Sequence, residues 1–260
     1  MTTRPAPKPC CALPFRTPCE NPVSQTFLDG RVTVEQPEEG FRSGTDAVLL
    51  AAAVPAVSGQ SALELGAGSG AAGLCLAARV PGLVLTGVEI DAALATRAQG
   101  NAAANGMTAR FVAADIFDLP QELRRDFDHV LANPPFHEGG QQSPDPARAR
   151  ALNDAGSLSQ WLSTGLQRTV SGGFFTAIIR ADRTPEALAA LGHRGLHLLP
   201  LWPRAGMAAK RVILLARKGS RAPFALLPGL VLHEADGRYT HETDSILRDG
   251  AALAMDGGRL

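Results

Sequence analysis

Short apolar runs alternate with helical patterns along most of this 260-residue chain. SALEL (61–65), LVLTGVE (83–89), RFVAAD (110–115) and FDHVLA (127–132) each have the length of a buried strand, and alanine-rich helical segments separate the first three. FFTAIIR and RVILLAR carry the pattern towards the C-terminus. Strands and helices that alternate at this spacing indicate βαβ units, which build a parallel sheet with helices on both faces. The sequence therefore predicts an α/β fold.

One domain over residues 25–260 is the simplest organisation, because no linker interrupts the alternating region. Its first segment, TFLDGRVTVEQ, has Asp29-Gly30 between alternating apolar positions, which predicts an N-terminal hairpin with a two-residue turn. Ser43 or Thr45 is available to cap the helix that follows. Residues 1–24 are rich in proline and contain three of the four cysteines, and we expect them to form a disordered tail.

Composition disfavours several classes of protein. The chain has no C-x-x-C pair, so a zinc site is not expected and a reducing compartment is the default. No apolar run reaches the roughly 18 residues that a membrane span requires, and the N-terminus lacks the apolar core of a secretory signal. We therefore expect a cytoplasmic protein, a monomer or a weak dimer, that binds neither metal nor membrane.

The positive charge is concentrated in one part of the chain, although the formal net charge is zero. Residues 180–221 contain nine arginines and lysines but only two acidic residues, Asp182 and Glu186. Such a window either forms a local positive face that attracts a polyanion or is an ordinary solvated surface. Charge alone does not decide between these interpretations.

A glycine-rich loop follows the first of these strands and opens a helix. In E-L-G-A-G-S-G, the residues Gly66, Gly68 and Gly70 permit a sharp turn and let a ligand approach the backbone closely. Glu89 ends the next strand, where a carboxylate can accept both hydroxyls of a ribose, and Asp115 ends the third. The carboxyl ends of parallel strands face one crevice, so a nucleotide site is predicted there. The loop also satisfies a looser NAD fingerprint, and by itself it is compatible with a plain strand-to-helix turn.

The stretch ANPPF ends the fourth strand beside the same crevice. The exocyclic amine of a base is a poor nucleophile, because its lone pair is delocalised into the ring. The side-chain oxygen of Asn133 and the carbonyl of Pro134 can accept its two N–H groups and direct the lone pair at an electrophile in the crevice. Pro134 and Pro135 fix these acceptors in advance, and Phe136 can stack on the base. An Asn-Pro-Pro turn without this context is more often only a turn.

The loop with its acids resembles the S-adenosylmethionine site of Rossmann-like methyltransferases, and NPPF resembles the [D/N/S]-P-P-[Y/F/W] motif of amino methyltransferases. From about residue 26 to 255, segments such as GTDAVLLAA, LELGAGSG, ANPPF and HEADGRYTHE are similar to the bacterial tRNA(Val) adenine-37 N6-methyltransferase family. That resemblance implies a class I methyltransferase fold, with a seven-stranded, mostly parallel sheet whose last strand, near RVILLAR, is antiparallel. The cofactor-binding residues that it implies are Asp46, Glu64, Gly66, Gly68, Gly70, Glu89, Ile90, Asp115 and Ile116.

The same resemblance implies a tRNA substrate. Lys210 and Arg211, in the basic window, would contact its phosphates. Asp46 is equally consistent with an ordinary acid at the start of a helix. Phe136 stands where the adenine enzymes more often carry tyrosine, so methylation of guanine N2 in rRNA or of a protein glutamine stays open. An NAD-dependent oxidoreductase and a non-catalytic RNA-binding adaptor are the alternatives outside this chemistry.

Overall fold

The computed structural model describes residues 22–38, 42–135 and 157–255. Cys10, Cys11 and Cys19 lie outside these ranges, and the tail assigned to residues 1–24 does so almost entirely, so its disorder stays a prediction. Within the described ranges, no helix is both long enough and apolar enough to cross a membrane.

The chain forms the alternating elements that its sequence predicts. The strands are β1 Val23–Phe27, β2 Val32–Gln36, β3 Ser61–Leu65, β4 Val84–Glu89, β5 Ala109–Ala113, β6 Phe127–Ala132, β7 Thr169–Arg180, β8 Leu196–Arg204, β9 Arg211–Arg217, β10 Ala225–Leu226 and β11 Leu230–His233. The helices are α1 Thr45–Ala53, α2 Ala71–Arg79, α3 Ala92–Ala104, α4 Leu158–Gln167, α5 Thr184–Leu191 and α6 His241–Asp244. A π-helical turn, Ser245–Asp249, follows α6.

The central sheet is mostly parallel with an antiparallel strand near its end, as predicted. Strands β5, β4, β3, β6 and β7 are neighbours in that order and run parallel. Beyond them β9, the RVILLAR strand, lies between β7 and β8 and is antiparallel to both. The seven-stranded class I arrangement is therefore confirmed. The short strands β10 and β11 pair parallel with β8 and extend the sheet to nine strands within the part of the chain described.

Apolar side chains project from both faces of the sheet. Helices therefore cover each face. In β6, Leu131 packs into one core with α1 and α2, whereas its neighbour Val130 packs into a second core with α4. Helix α4 also packs against α5 on that second face. It begins with a capping box, in which Ser157 and Gln160 satisfy each other's backbone N–H groups.

The N-terminal hairpin exists, but its turn is wider than the sequence predicts. Phe27 pairs with Val32, so four residues rather than two form the loop. Leu28 and Asp29 both have positive φ, and Leu28 is only 2% exposed. Because Leu28 is drawn into the core, a tight turn at Asp29-Gly30 is not possible. The conformation of the loop is therefore determined by the burial of Leu28 and not by the turn preference of Asp29-Gly30.

Helix α1 also begins differently from the prediction. Gly44 occupies the cap position, and no side chain caps the helix there, so neither Ser43 nor Thr45 has the predicted role. The side-chain amide of Gln36 instead accepts from the Ser43 N–H at 2.7 Å and donates to the Ser43 carbonyl at 3.1 Å. The hairpin thus holds the chain in place just before α1.

Candidate active site

Four strand ends that are distant in sequence meet at one edge of the sheet. Leu65, the last residue of β3, pairs with Ala132 on one side and with Val88 on the other. Glu89 pairs in turn with Ala113 at the end of β5. The residues that follow these strands therefore share the carboxyl edge, as the sequence predicts, with the turn after β6 on one side of the glycine loop and the end of β4 on the other.

The glycine loop has the backbone conformation that only glycine adopts freely. Gly66, Gly68 and Gly70 have φ values of +67°, +55° and +87°. A Cβ on Gly66 would lie 2.6 Å from the ring of Trp161, whereas a Cβ on Gly68 would meet nothing within 4 Å. Gly66 thus allows close packing against α4, and Gly68 leaves open space at the crevice for a ligand.

The Glu89 carboxylate is held against this loop. One of its oxygens accepts from the Gly68 N–H at 2.7 Å, and the other accepts from the Asp91 N–H at 3.0 Å. The side chain is 9% exposed at the crevice. A carboxylate has about four lone-pair positions, so these two bonds orient Glu89 and leave it able to accept from further hydroxyl groups.

Glu64 supports the loop from beneath. It is 4% exposed, and its Oε2 accepts from the Gly73 N–H in the first turn of α2 at 3.0 Å. Burial raises the pKa of this carboxyl to about 8; the Gly73 amide opposes the rise and the nearby Glu89 carboxylate adds to it. Glu64 is therefore largely protonated at neutral pH. Its predicted contact with the cofactor stays a prediction.

The acidic end of β5 and two aromatic rings form the far side of the crevice. Asp115 is exposed and accepts from the Phe117 N–H at 2.8 Å, and Ile116 is buried. Phe117 meets Trp161 edge-to-face, with the ring centroids 6.3 Å apart. Ile90, 51% exposed, follows the neighbouring strand. Neither ring is among the site residues predicted from the sequence. An aromatic residue two positions after Asp115 is a visible signal, but Trp161 comes from a helix almost 100 residues away from Gly66.

Asn133 follows β6 directly and has an unsatisfied acceptor. Its side-chain oxygen is buried and has no hydrogen-bond partner among the described residues. Pro134 is buried and Pro135 is partly buried. A buried oxygen without a donor is unfavourable, so Asn133 keeps an acceptor beside the glycine loop that the described residues do not satisfy. Phe136 lies outside the described residues.

Asp46 and Arg211, which were assigned separate roles, lie together. Arg211 Nε donates to Asp46 Oδ2 at 3.1 Å, and each side chain is about a third exposed. Asp46 is in the first turn of α1, and Arg211 begins β9 at the carboxyl edge. The ion pair joins the regions where the two contacts are expected. The predicted contact of Asp46 with the cofactor and that of Arg211 with a phosphate both stay predictions.

The basic window is divided between opposite edges of the sheet. Antiparallel pairing places Arg180 beside Arg211, so the cations near the ends of β7 and β8 and the start of β9 lie at the carboxyl edge. Those near the other ends of β8 and β9 lie at the amino edge. The first group comprises Arg180, Arg183, Arg204, Lys210 and Arg211, and the second comprises Arg194, Arg217, Lys218 and Arg221.

Known proteins are similar to this chain in sequence. Residues 40–160 match the family described as Methyltransferase small domain. The tRNA1(Val) (adenine(37)-N6)-methyltransferase of Aeromonas hydrophila is 31% identical over 77% of this chain and 86% of its own length. The chain belongs to the tRNA1(Val) adenine-37 N6-methyltransferase family.

Solved structures of other methyltransferases have the same fold. A protein from Agrobacterium tumefaciens, described as a predicted O-methyltransferase, is 30% identical with a TM-score of 0.67, over 81% of this chain and 99% of that one. A Thermus thermophilus 16S rRNA N2 methyltransferase, solved with AdoMet and guanosine, is 25% identical with a TM-score of 0.55. That match covers 77% of this chain and 51% of the Thermus chain.

As a member of this family, the protein is an S-adenosylmethionine-dependent methyltransferase, and the NAD alternative is set aside. The residues of the crevice fit this cofactor. Gly68 leaves room where any side chain would intrude, and Glu89 is oriented with free acceptor capacity. These two features suit the methionine portion and the ribose respectively. The individual cofactor contacts remain predictions.

Proposed function

We propose that this methyltransferase acts on the exocyclic N6 of adenine in tRNA, at position 37 of the anticodon loop of a valine tRNA. The relatives that carry this activity in their names span most of the chain. The observation on which the proposal rests is the buried, unpartnered oxygen of Asn133 beside the glycine loop. An amino group of a base is a donor of the kind that this acceptor lacks.

The turn after β6 accounts for how such an amine is activated. When bound, S-adenosylmethionine supplies the electrophilic methyl group. The Asn133 oxygen and the Pro134 carbonyl accept the two N–H groups of the amine, which moves the nitrogen towards tetrahedral geometry and turns its lone pair to the crevice. Two consecutive prolines hold these acceptors in place before the substrate arrives. No strong base is needed, because the methylated ammonium group loses its proton readily to water.

The position of the target is also consistent with this site. A purine beside the anticodon lies in a single-stranded loop, so its removal from the stack costs less than removal from a duplex. Arg211 begins β9 at the same edge, and Lys210 directly precedes it. Both would contact phosphates of the loop, which positions the RNA without reading its sequence.

A second candidate is the N2 amine of guanine. The structural likeness to the Thermus rRNA methyltransferase, which was solved with guanosine, favours it. Both amines present two N–H groups to the Asn-Pro acceptors, so the turn after β6 does not distinguish them. The choice depends on the ring edge that the rest of the pocket accommodates.

The test is to incubate the protein with unmodified bulk tRNA and methyl-labelled cofactor, and then to identify the labelled nucleoside after digestion. We expect N6-methyladenosine. Labelled N2-methylguanosine would establish the second candidate. No transfer to tRNA would overturn the proposal. The same incubation with rRNA and with a protein extract would then separate an rRNA or protein-glutamine methyltransferase, which transfers label there, from a non-catalytic adaptor, which transfers none.

A further inference from the structure

One side of the carboxyl edge rises well above the methyl-transfer site. Asn133 is level with Ile178 in β7 and, through the sheet pairing, with Leu199 in β8. Strand β8 continues five residues further, to Arg204, where it pairs with His233 of β11. At about 3.3 Å per residue, this extension adds roughly 16 Å along β8 beyond the residue that is level with Asn133, in a direction that the twist of the sheet turns relative to β6. We name residues 202–210 and 231–239 the outer wall.

The outer wall lies within reach of the same bound molecule. From β6 to β11 there are four strand spacings, through β7, β9 and β8. At about 4.8 Å each, the lateral separation is roughly 19 Å. A ligand that places one base at Asn133 and also contacts the outer wall must extend over several nucleotides.

Cations on the outer wall are available to a polyanion. Arg204 and Lys210 are exposed, and neither has an ion-pair partner among the residues that the structure describes. They flank the loop between β8 and β9, whose Met207 is 45% exposed. Arg211 and Arg180 lie lower, between Lys210 and the level of Asn133. The cations thus form a rising series from the crevice to the top of the wall.

An aromatic pair stands at the top of this series. The rings of His233 and Tyr239 lie with centroids 4.8 Å apart at 35°, and Tyr239 is 37% exposed. A backbone bridge between the two residues holds them together. Arg204 approaches within 3.9 Å of the space beside Gly237, in the turn that joins them. Nucleobases stack on exposed aromatic side chains, and the exposed Tyr239 ring, backed by His233 and close to Arg204, offers such a surface.

The acidic residues around these rings favour a base over a phosphate at this position. His233 and Tyr239 line a cavity of about 1140 Å³ that four carboxylates also line. Asp236 is paired with Arg238, and Asp244 is paired with Arg248. The two remaining carboxylates would repel a phosphate, but they can accept from the amino group of a base. The phosphates are better placed at Lys210, lower on the wall, and at Arg204, beside the rings.

We infer that the outer wall is a second RNA subsite, which stacks a base flanking the target on the His233–Tyr239 pair while Lys210 and Arg204 bind the intervening phosphates. The inference deepens the proposed function and rests on RNA being the substrate. It gives the exposed cations of the carboxyl edge and the neighbouring Tyr239 ring a common role.

The test is a double-mutant cycle on binding. A fluorescent anticodon stem-loop of valine tRNA is titrated with the protein, and each loop nucleotide near the target adenine is replaced in turn by an abasic one. Loss of a stacked base should weaken binding to the wild type about tenfold at one position. Tyr239→Ala should bind the intact loop about as weakly, and the abasic change should then have no further effect. Tyr239→Phe, which keeps the ring, should bind like the wild type.

Phe224→Ala is the matched control, because Phe224 is an exposed aromatic residue just before β10, whose pairing lies in the amino-terminal half of β8. It should leave binding unchanged, and thermal melts should show that every variant is folded. Equal affinity of Tyr239→Ala and the wild type, or an abasic effect that persists in Tyr239→Ala, would overturn the subsite. If the wild type methylates the loop and the cycle is null, the outer wall alone is refuted. If the wild type neither binds nor methylates RNA, the proposed function fails with it.

Discussion

The unsatisfied oxygen of Asn133 allows a catalytic role to be separated from a structural one. We predict that Asn133→Ala lowers kcat about 100-fold or more, because the amine loses a fixed acceptor. Its free energy of unfolding should stay the same or rise by about 1 kcal/mol, since an unfavourable buried acceptor is removed. Cofactor affinity, measured by calorimetry, should stay near that of the wild type.

Asn133→Asp is the matched variant, since it keeps an acceptor in the same place. It should be more active than Asn133→Ala under the same conditions. If Asn133→Ala instead unfolds more easily and keeps its turnover, Asn133 is a structural residue and the proposed mechanism is wrong.

Glu64 should make the stability of the protein fall with rising pH. Its ordinary pKa of 4.5 is raised by burial to about 8 in the fold, so the folded state binds the proton more tightly. The stability that this contributes is present below about pH 4.5 and is lost as the pH rises towards 8. Glu64→Gln keeps an oxygen that accepts from the Gly73 N–H, but its side chain does not titrate. We predict that it is more stable than the wild type at pH 8 and that the difference shrinks at pH 5, as measured by urea unfolding.

His129 gives the same experiment an internal control. Burial lowers its pKa from 6.5 to about 4, so the folded state disfavours the charged ring. Stability should therefore be lost as the pH falls from about 6.5 towards 4, and Glu64→Gln should retain this loss. If the free energy of unfolding falls equally with rising pH in the wild type and in Glu64→Gln, Glu64 is already ionised in the folded protein.

At the scale of elements, the glycine loop must pack against α4 and also leave space for a ligand. Gly66 meets the first requirement and Gly68 the second. Alanine at either Gly66 or Gly68 adds roughly 1–2 kcal/mol of backbone strain, because both have positive φ. Only Gly66→Ala also brings a Cβ within 2.6 Å of Trp161 on α4. We predict a larger loss of stability for Gly66→Ala, measured by thermal melting.

Gly68→Ala should instead lose more cofactor affinity than its loss of stability explains, since its Cβ would enter the open space of the crevice. Calorimetry on the folded variant gives the affinity. Equal melting temperatures for the two variants would contradict the close approach of α4 to the loop. Normal cofactor binding by Gly68→Ala would place the cofactor elsewhere.

At the scale of the whole molecule, the two edges of the sheet should respond differently to RNA. The zero net charge hides cations at both edges, and only the carboxyl edge faces the crevice. We predict that Lys210→Ala weakens stem-loop binding and reduces the slope of log affinity against log salt by about 0.7, the value for one phosphate contact in a single strand. Titrations at several salt concentrations measure this.

Arg221→Ala removes an exposed cation near the amino edge, just beyond the end of β9, and should change neither the affinity nor the slope. If both variants weaken binding equally, the RNA is held by general attraction, and the edges do not have distinct roles.

Much of the architecture and part of the site were predictable. The strand and helix alternation, the turn at Gly66–Gly70 and the acids that end β4 and β5 are local patterns, and the structure confirms their arrangement at one edge. The tight hairpin turn and the cap of α1 were predicted wrongly. In both cases a distant demand, the burial of Leu28 and the hydrogen bonds of Gln36, overrides the local preference.

By itself, the sequence determined which backbone positions need glycine, which strands are buried and which turn carries Asn133. These properties depend on the periodicity and the φ requirements of neighbouring residues. Only the tertiary structure decided that Trp161 packs on Gly66, that Asp46 meets Arg211 and that the basic window is split between two edges. Each of these contacts depends on the order of the strands in the sheet. The crossover connections that set this order bring together residues that are far apart in the chain, and no local sequence pattern predicts such contacts.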